Sequence, residues 1–123
     1  MTFQPAIPVF RIFDYEQAMA FYRDWLGFTV DWEHQYTPDY PRYLQVSRAG
    51  TLLHLTEHHG DCTPGSKAVI HIDDADALHQ EITVTRRHPR MNPSVQTMPW
   101  NAKVVEVMDP FGNKLWFHQS LES

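Results

Sequence analysis

The sequence predicts an α+β fold built from two successive βαβββ modules. Three observations predict it. β-forming runs alternate with amphipathic helical stretches. The order strand, capped helix and three strands occurs twice over 123 residues, in halves of roughly 60 residues each. Hydrophobic residues make up 42% of the chain, enough for an ordinary core, and the single cysteine leaves no disulfide or Cys-rich zinc scaffold to replace one. The length fits one domain over 1–123, with module 1 at about 6–57 and module 2 at about 67–119.

The first module opens with an extended apolar run, Ala6 to Phe13, rich in β-formers. Asp14 is placed to cap a helix, with Glu16 in its first turn and Gln17 at the capping-box position. Ala18, Phe21, Tyr22 and Trp25, with Leu26 beside them, form one apolar helical stripe, and Gly27 supplies the stop. Three strands follow. Phe28, Val30 and Trp32 alternate with polar residues; Tyr43 to Arg48 is the second; Ala49-Gly50 turns the chain into the third, Thr51 to Glu57. In that third strand Leu53, Leu55 and Glu57 share one side, and Leu52, His54 and Thr56 the other.

His58 to Ser66 holds Gly60, Asp61, Pro64 and Gly65 and reads as a loop. The opening pattern then returns. Ala68 to Ile72 is a strand, Asp73 or Asp74 a cap, and Ala75 to Val84 a helix. Arg86 to Met98 is polar and carries Pro89 and Pro93, so it is the least defined stretch. Lys103 to Met108 and Leu115 to His118 are strands, joined by the turn Asp109-Pro110-Phe111-Gly112-Asn113.

Composition narrows the function. Ten basic against fifteen acidic residues give a net charge of −5, which disfavours a nucleic-acid partner. No run approaches the ~20 apolar residues that span a bilayer, so no membrane partner is expected. Met1-Thr2-Phe3-Gln4-Pro5 carries neither a basic run nor a long apolar segment, so a cytoplasmic address is expected. The uncommon entries are eight histidines and four tryptophans. The first invite a metal reading, the second a ligand-stacking one.

Val9-Phe10-Arg11-Ile12-Phe13-Asp14, Ala20-Phe21-Tyr22 and Leu26-Gly27-Phe28 resemble the first module of the glyoxalase, bleomycin-resistance and extradiol-dioxygenase superfamily. Pro99-Trp100 and Asp109-Pro110-Phe111-Gly112-Asn113 resemble the end of its second module. The resemblance implies curved mixed sheets forming a cup-shaped ligand site, often completed across a homodimer. It leaves function open, because the superfamily holds metal enzymes and metal-free drug-binding proteins.

The resemblance places the superfamily's metal ligands at Ile7, His54, about Lys67 and Trp116. One of these is a usable ligand, and a catalytic zinc site needs about three. The expectation is therefore no metal cofactor. A rearranged metal site around His54, Glu57 and His59 is the alternative, and it would make the chain a lyase, isomerase or dioxygenase. Glu57 and His59 stand where strand gives way to loop, which equally fits a solvated rim. His54 fits a core histidine, a ligand-binding residue or a general base. His71, His79, His88 and His118 show no metal spacing.

The metal-free bleomycin-resistance proteins resemble the chain in the complementary way, through aromatics lining their cleft. Trp32 and Trp100 match such positions, while Val69 and His71 stand where those proteins carry a Trp. Aromatic faces stack flat heteroaromatic groups, and Asp31, Glu33, Glu57 and Asp61 are placed to give a negative field for a cationic tail. Trp25 reads as core, Trp32 as core or site, and Trp116 as pointing to the cup. The resulting expectation is a small-molecule site lined by Trp32, His54, Trp100, Trp116 and Glu33. It takes a planar or cationic antibiotic-like ligand, with a bleomycin-like antibiotic as the named candidate and no catalytic residue assigned.

Overall fold

The computed structural model describes residues 1–122. The chain begins β1 (Val9–Arg11), α1 (Tyr15–Met19), β2 (Thr29–Gln35), β3 (Arg42–Arg48) and β4 (Thr51–Thr56). It continues β5 (Lys67–His71), α2 (Ala75–Gln80), β6 (Val95–Met98), β7 (Ala102–Met108) and β8 (Lys114–Ser120). This is βαβββ twice.

β1 is shorter than the apolar run that predicts it. Pro8 has no N–H to give the ladder, so pairing starts after it, although the Pro8 carbonyl accepts from His54 N at 2.9 Å. Asp14 caps α1 as expected, its carboxylate taking Gln17 N at 2.9 Å. Beyond Met19 the helix continues as a π-helix over Ala20–Trp25. The wider turn carries Phe21, Trp25 and Leu26 into the core together. Gly27 then takes φ 78°, which a side chain resists. Ala49 and Gly50, at φ 49° and 87°, make the two-residue β3–β4 hairpin turn with both central residues left-handed.

The second module repeats these devices. Asp74 caps α2, accepting Ala77 N at 3.0 Å, and a π-helical stretch runs over Glu81–Thr85. β6 emerges from the stretch that composition left undefined.

Each module forms a four-stranded mixed sheet, ordered β1-β4-β3-β2 and β5-β8-β7-β6. The first strand of each pairs in parallel with the fourth; the other pairs are antiparallel. One face of each sheet is buried. Leu44, Val46, Leu53 and Leu55 from the first join Val105, Val107, Leu115 and Phe117 from the second and the helix stripes in one continuous core. Period-2 alternation sends the odd set of β4 inward and leaves Leu52 and His54 on the other face.

Polar contacts tie the modules together. Trp25 Nε1 donates to Ile82 O at 2.9 Å, and Arg86 Nε returns a bond to Trp25 O at 2.9 Å. Arg48 and Arg86 both pair with Glu81. Burial pushes the Glu81 carboxyl up, but these two guanidinium groups outweigh it and hold it below the ordinary value. Deeper in, Tyr22 donates its hydroxyl to Asp109 Oδ2 at 2.6 Å, and Asn113 Nδ2 donates to Arg11 O at 2.8 Å. Among the described residues no helix is long and apolar enough to cross a membrane.

Candidate functional site

The faces turned away from the core carry the candidate aromatics and His54. On the first sheet, Trp32 in β2 stacks on Tyr43 in β3, ring centroids 6.1 Å apart and planes 10° from parallel. His54 in β4 meets both rings edge-on, at 5.3 Å and 5.2 Å. A chain of hydrogen bonds orients this trio. Ser47 Oγ and Gln45 Nε2 donate to the two oxygens of Asp31, at 2.9 Å and 3.0 Å. That leaves Gln45 Oε1 as acceptor for His54 Nε2 at 3.0 Å. His54 Nδ1 is therefore unprotonated and accepts from the Tyr43 hydroxyl at 2.7 Å. Burial lowers the His54 pKa below its ordinary value, so the ring is neutral at pH 7.

The second sheet repeats the arrangement. Trp116 occupies in β8 the rung that His54 occupies in β4: His54 pairs with Val9 and Gln45, Trp116 with Val69 and Glu106. The cross-strand lock is also repeated, Trp116 Nε1 donating to Glu106 Oε1 at 3.0 Å. Asn101, at φ 61°, forms the β6–β7 turn that presents Trp100. Trp100 Nε1 donates to His118 Nε2 at 3.0 Å with the two rings 5° from parallel, so the pair extends one flat surface. The Trp116 ring is 17° from parallel to Trp100 and 6.4 Å away. His71 packs edge-on to His118 at 5.0 Å. Donation from Trp100 puts the His118 proton on Nδ1, which is buried without a partner.

Trp32, His54, Trp100 and Trp116 thus stand on outward faces, but on two sheets. A cleft of about 660 Å³ between the modules is lined by Phe28, Arg48, Ala49, Ile70, Asp73 and Leu78 among others. A second of about 370 Å³ is lined by Arg11, Phe13, Gln35, Tyr40, Arg42 and Glu57 among others. Neither includes any of those four residues or Glu33.

Glu33 lies apart from the aromatic trio. It pairs with the core residue Leu44 across β2–β3, so it faces α1, where it accepts the Tyr15 hydroxyl at 2.7 Å. A β-bulge between Val30 and Trp32 shifts the register and puts Trp32 itself on the open face, half exposed. Of the other carboxylates of the expected negative field, Asp31 stays beside the trio while Glu57 and Asp61 do not. Asp31 is engaged by Gln45 and Ser47, Glu57 takes Arg42 N, and Asp61 takes the Thr56 hydroxyl. Trp25 is core.

The alternative metal set is not assembled. His54 and Glu57 point to opposite sides of β4's sheet, and among the described residues no three His, Cys, Asp or Glu groups are placed to hold an ion. The superfamily's own metal positions do not fit one either. Ile7 and Trp116 offer no ligand, both His54 nitrogens are engaged, and the Lys67 ammonium rests 3.4 Å from the Trp116 ring centroid.

Sequence reasoning missed Tyr43, Gln45, Glu106 and His118. The alternation of Tyr43, Gln45 and Ser47 with Leu44 and Val46 is the signal that places the first two. The cross-strand partner of each required the register.

A family profile described as "Glyoxalase superfamily protein" matches residues 1–123. The chain belongs to this family. Solved structures agree on the glyoxalase-superfamily fold. An antibiotic-binding protein from Streptomyces sp. CB03234 is 25% identical, with TM-score 0.65, over 98% of this chain and 99% of that one. A glyoxalase/bleomycin resistance protein from the same Streptomyces is also 25% identical, with TM-score 0.65, over 93% and 100%. A bleomycin-binding protein complexed with bleomycin is 17% identical, with TM-score 0.69, over 96% and 99%. No curated protein matches the chain.

Proposed function

We propose that this glyoxalase-superfamily chain is a metal-free, cytoplasmic binding protein. It sequesters a planar, antibiotic-like small molecule between the two aromatic faces. The observation that carries the reading is the repeated lock. His54 on Gln45 and Trp116 on Glu106 hold equivalent rungs, each orienting an outward aromatic surface. Rigid, pre-oriented rings lower the ordering cost of stacking a flat ligand. The Streptomyces antibiotic-binding protein supports the same class of ligand.

The faces also call for a second copy. Trp32, Val69, Trp100 and Met108 are 44%, 50%, 52% and 49% exposed, a large apolar area for a lone chain. We infer a homodimer in which the first sheet of one chain faces the second sheet of the other, closing a cup. Calorimetric titration with bleomycin and other planar antibiotics tests the reading. At least one should bind at micromolar concentration, and Trp100→Ala should weaken it at least tenfold. A folded protein that binds none of them overturns it.

A further inference from the structure

The second aromatic face carries a charge feature that stacking does not explain. β5 and β8 run parallel, and their register sets Lys67 directly beside Lys114, two residues along from the Val69–Trp116 pair. Period-2 alternation puts Lys67, Val69 and His71 on the same side as Lys114, Trp116 and His118, opposite the buried Ala68, Ile70, Leu115 and Phe117. Like charges at adjacent positions repel. Among the described residues the ion pairs involve Arg23, Arg48, Arg86 and Lys103, and neither Lys67 nor Lys114. Glu106, the carboxylate on this face, gives an oxygen to Trp116 Nε1. The Lys67 ammonium lies over the Trp116 ring, 3.4 Å from its centroid, and Trp116 in turn is near-parallel to Trp100.

We propose that this face selects a planar aromatic anion, such as an arene carrying a carboxylate, sulfonate or phenolate group. Its ring lies along Trp100 and Trp116, and its negative group sits between Lys67 and Lys114, relieving their repulsion. The proposal rests on the small-molecule reading above and adds the sign of the ligand's charge. It runs against the cationic tail expected from the acidic residues, because those residues are dispersed or already engaged.

The test is tryptophan-fluorescence titration at low salt with three planar probes of similar size: anthraquinone-2-sulfonate, neutral anthraquinone-2-methanol and the cation proflavine. The anion should bind roughly tenfold more tightly than the neutral probe, the effect of two surface charge pairs. Its advantage should shrink as salt rises. The double variant Lys67→Gln, Lys114→Gln should lose the anion preference, binding the anion and the neutral probe about equally. Proflavine binding as tightly as the anion overturns the proposal while leaving the small-molecule reading intact. So does an anion preference that survives in the double variant. No binding of any probe by folded protein overturns both.

Discussion

Removing one oxygen atom, by Tyr22→Phe, tests the junction that sets the two sheets against each other. Asp109 is 4% exposed and Tyr22 fully buried. The carboxylate accepts from Tyr22 Oη at 2.6 Å, Phe111 N at 2.9 Å, Asn113 N at 2.8 Å and Asn113 Nδ2 at 2.9 Å. Burial, with Asp109 beside it, drives the Tyr22 hydroxyl well above its ordinary pKa, so it stays a proton donor throughout the working range. The substitution keeps the ring and its edge contacts with Phe21 and Phe28, and so opens no cavity. What is lost is one hydrogen bond to a charged group, worth about 1.5–3 kcal/mol when its buried acceptor goes unserved. Three donors remain, so we predict a loss of about 2 kcal/mol. With a urea m-value of about 2 kcal/mol/M, the midpoint falls by about 1 M. Urea denaturation followed by tryptophan fluorescence, at one fixed protein concentration, measures it. A loss under about 0.5 kcal/mol with unchanged m-value refutes the assignment of this bond as a buried, charge-assisted tie.

Acid should weaken the fold in two stages. His54 and His88 titrate below their ordinary 6.5, through burial and, for His88, the additional charge of Arg90. The unfolded chain takes up these protons first as pH falls, so stability is full above about 6.5 and declines below it. Glu81 titrates below its ordinary 4.5, so its contribution is present above that value and is lost as pH falls through the lower folded one. Urea midpoints against pH should show both stages, and Glu81→Gln should remove the lower one. Gly27→Ala puts a Cβ 3.0 Å from Arg86 Nη2 at φ +78°, and should cost about 1–2 kcal/mol, read as a melting temperature several degrees lower. Asn101→Gly relaxes a left-handed residue while freeing the turn that carries Trp100, so it should reduce planar-ligand affinity with little loss of stability, as calorimetry would show.

The fold was legible because its signals are local. Asp14 and Asp74 cap the expected helices, Gly27 stops the first, and alternation in β4 separates Leu53 and Leu55 from His54. The π-helical continuations were not legible, since Phe21, Tyr22, Trp25 and Leu26 satisfy an α-helical stripe equally well. The outward placement of His54 and Trp116 was legible from alternation, but the arrangement of the candidate residues was not. His54 and Trp116 alternate with buried neighbours and Trp100 follows Pro99 in a turn, whereas Trp32 alternates with Val30 as a core residue does. Whether they meet depends on which sheet holds each one and which face of the core the sheets share. Glu33 shows the limit most clearly. Regular alternation sets Glu33 on the face opposite Val30 and Trp32, but the bulge between Val30 and Trp32 exchanges the two, turning Trp32 outward and Glu33 towards Tyr15, and no residue near it announces a bulge.

The central claim is that one ligand site takes its first wall from one chain and its second from another. Complementation tests this most directly. The double variants Trp32→Ala, His54→Ala and Trp100→Ala, Trp116→Ala each spoil one wall of both sites in their own homodimer. Mixed and allowed to exchange subunits, they form heterodimers holding one site with both walls intact. Titration of each variant alone with a ligand that the unaltered protein binds should give no saturable heat. The equimolar mixture should regain binding at about one site per four chains, as random pairing requires. A mixture as inert as its components, while the unaltered protein binds, contradicts the shared site.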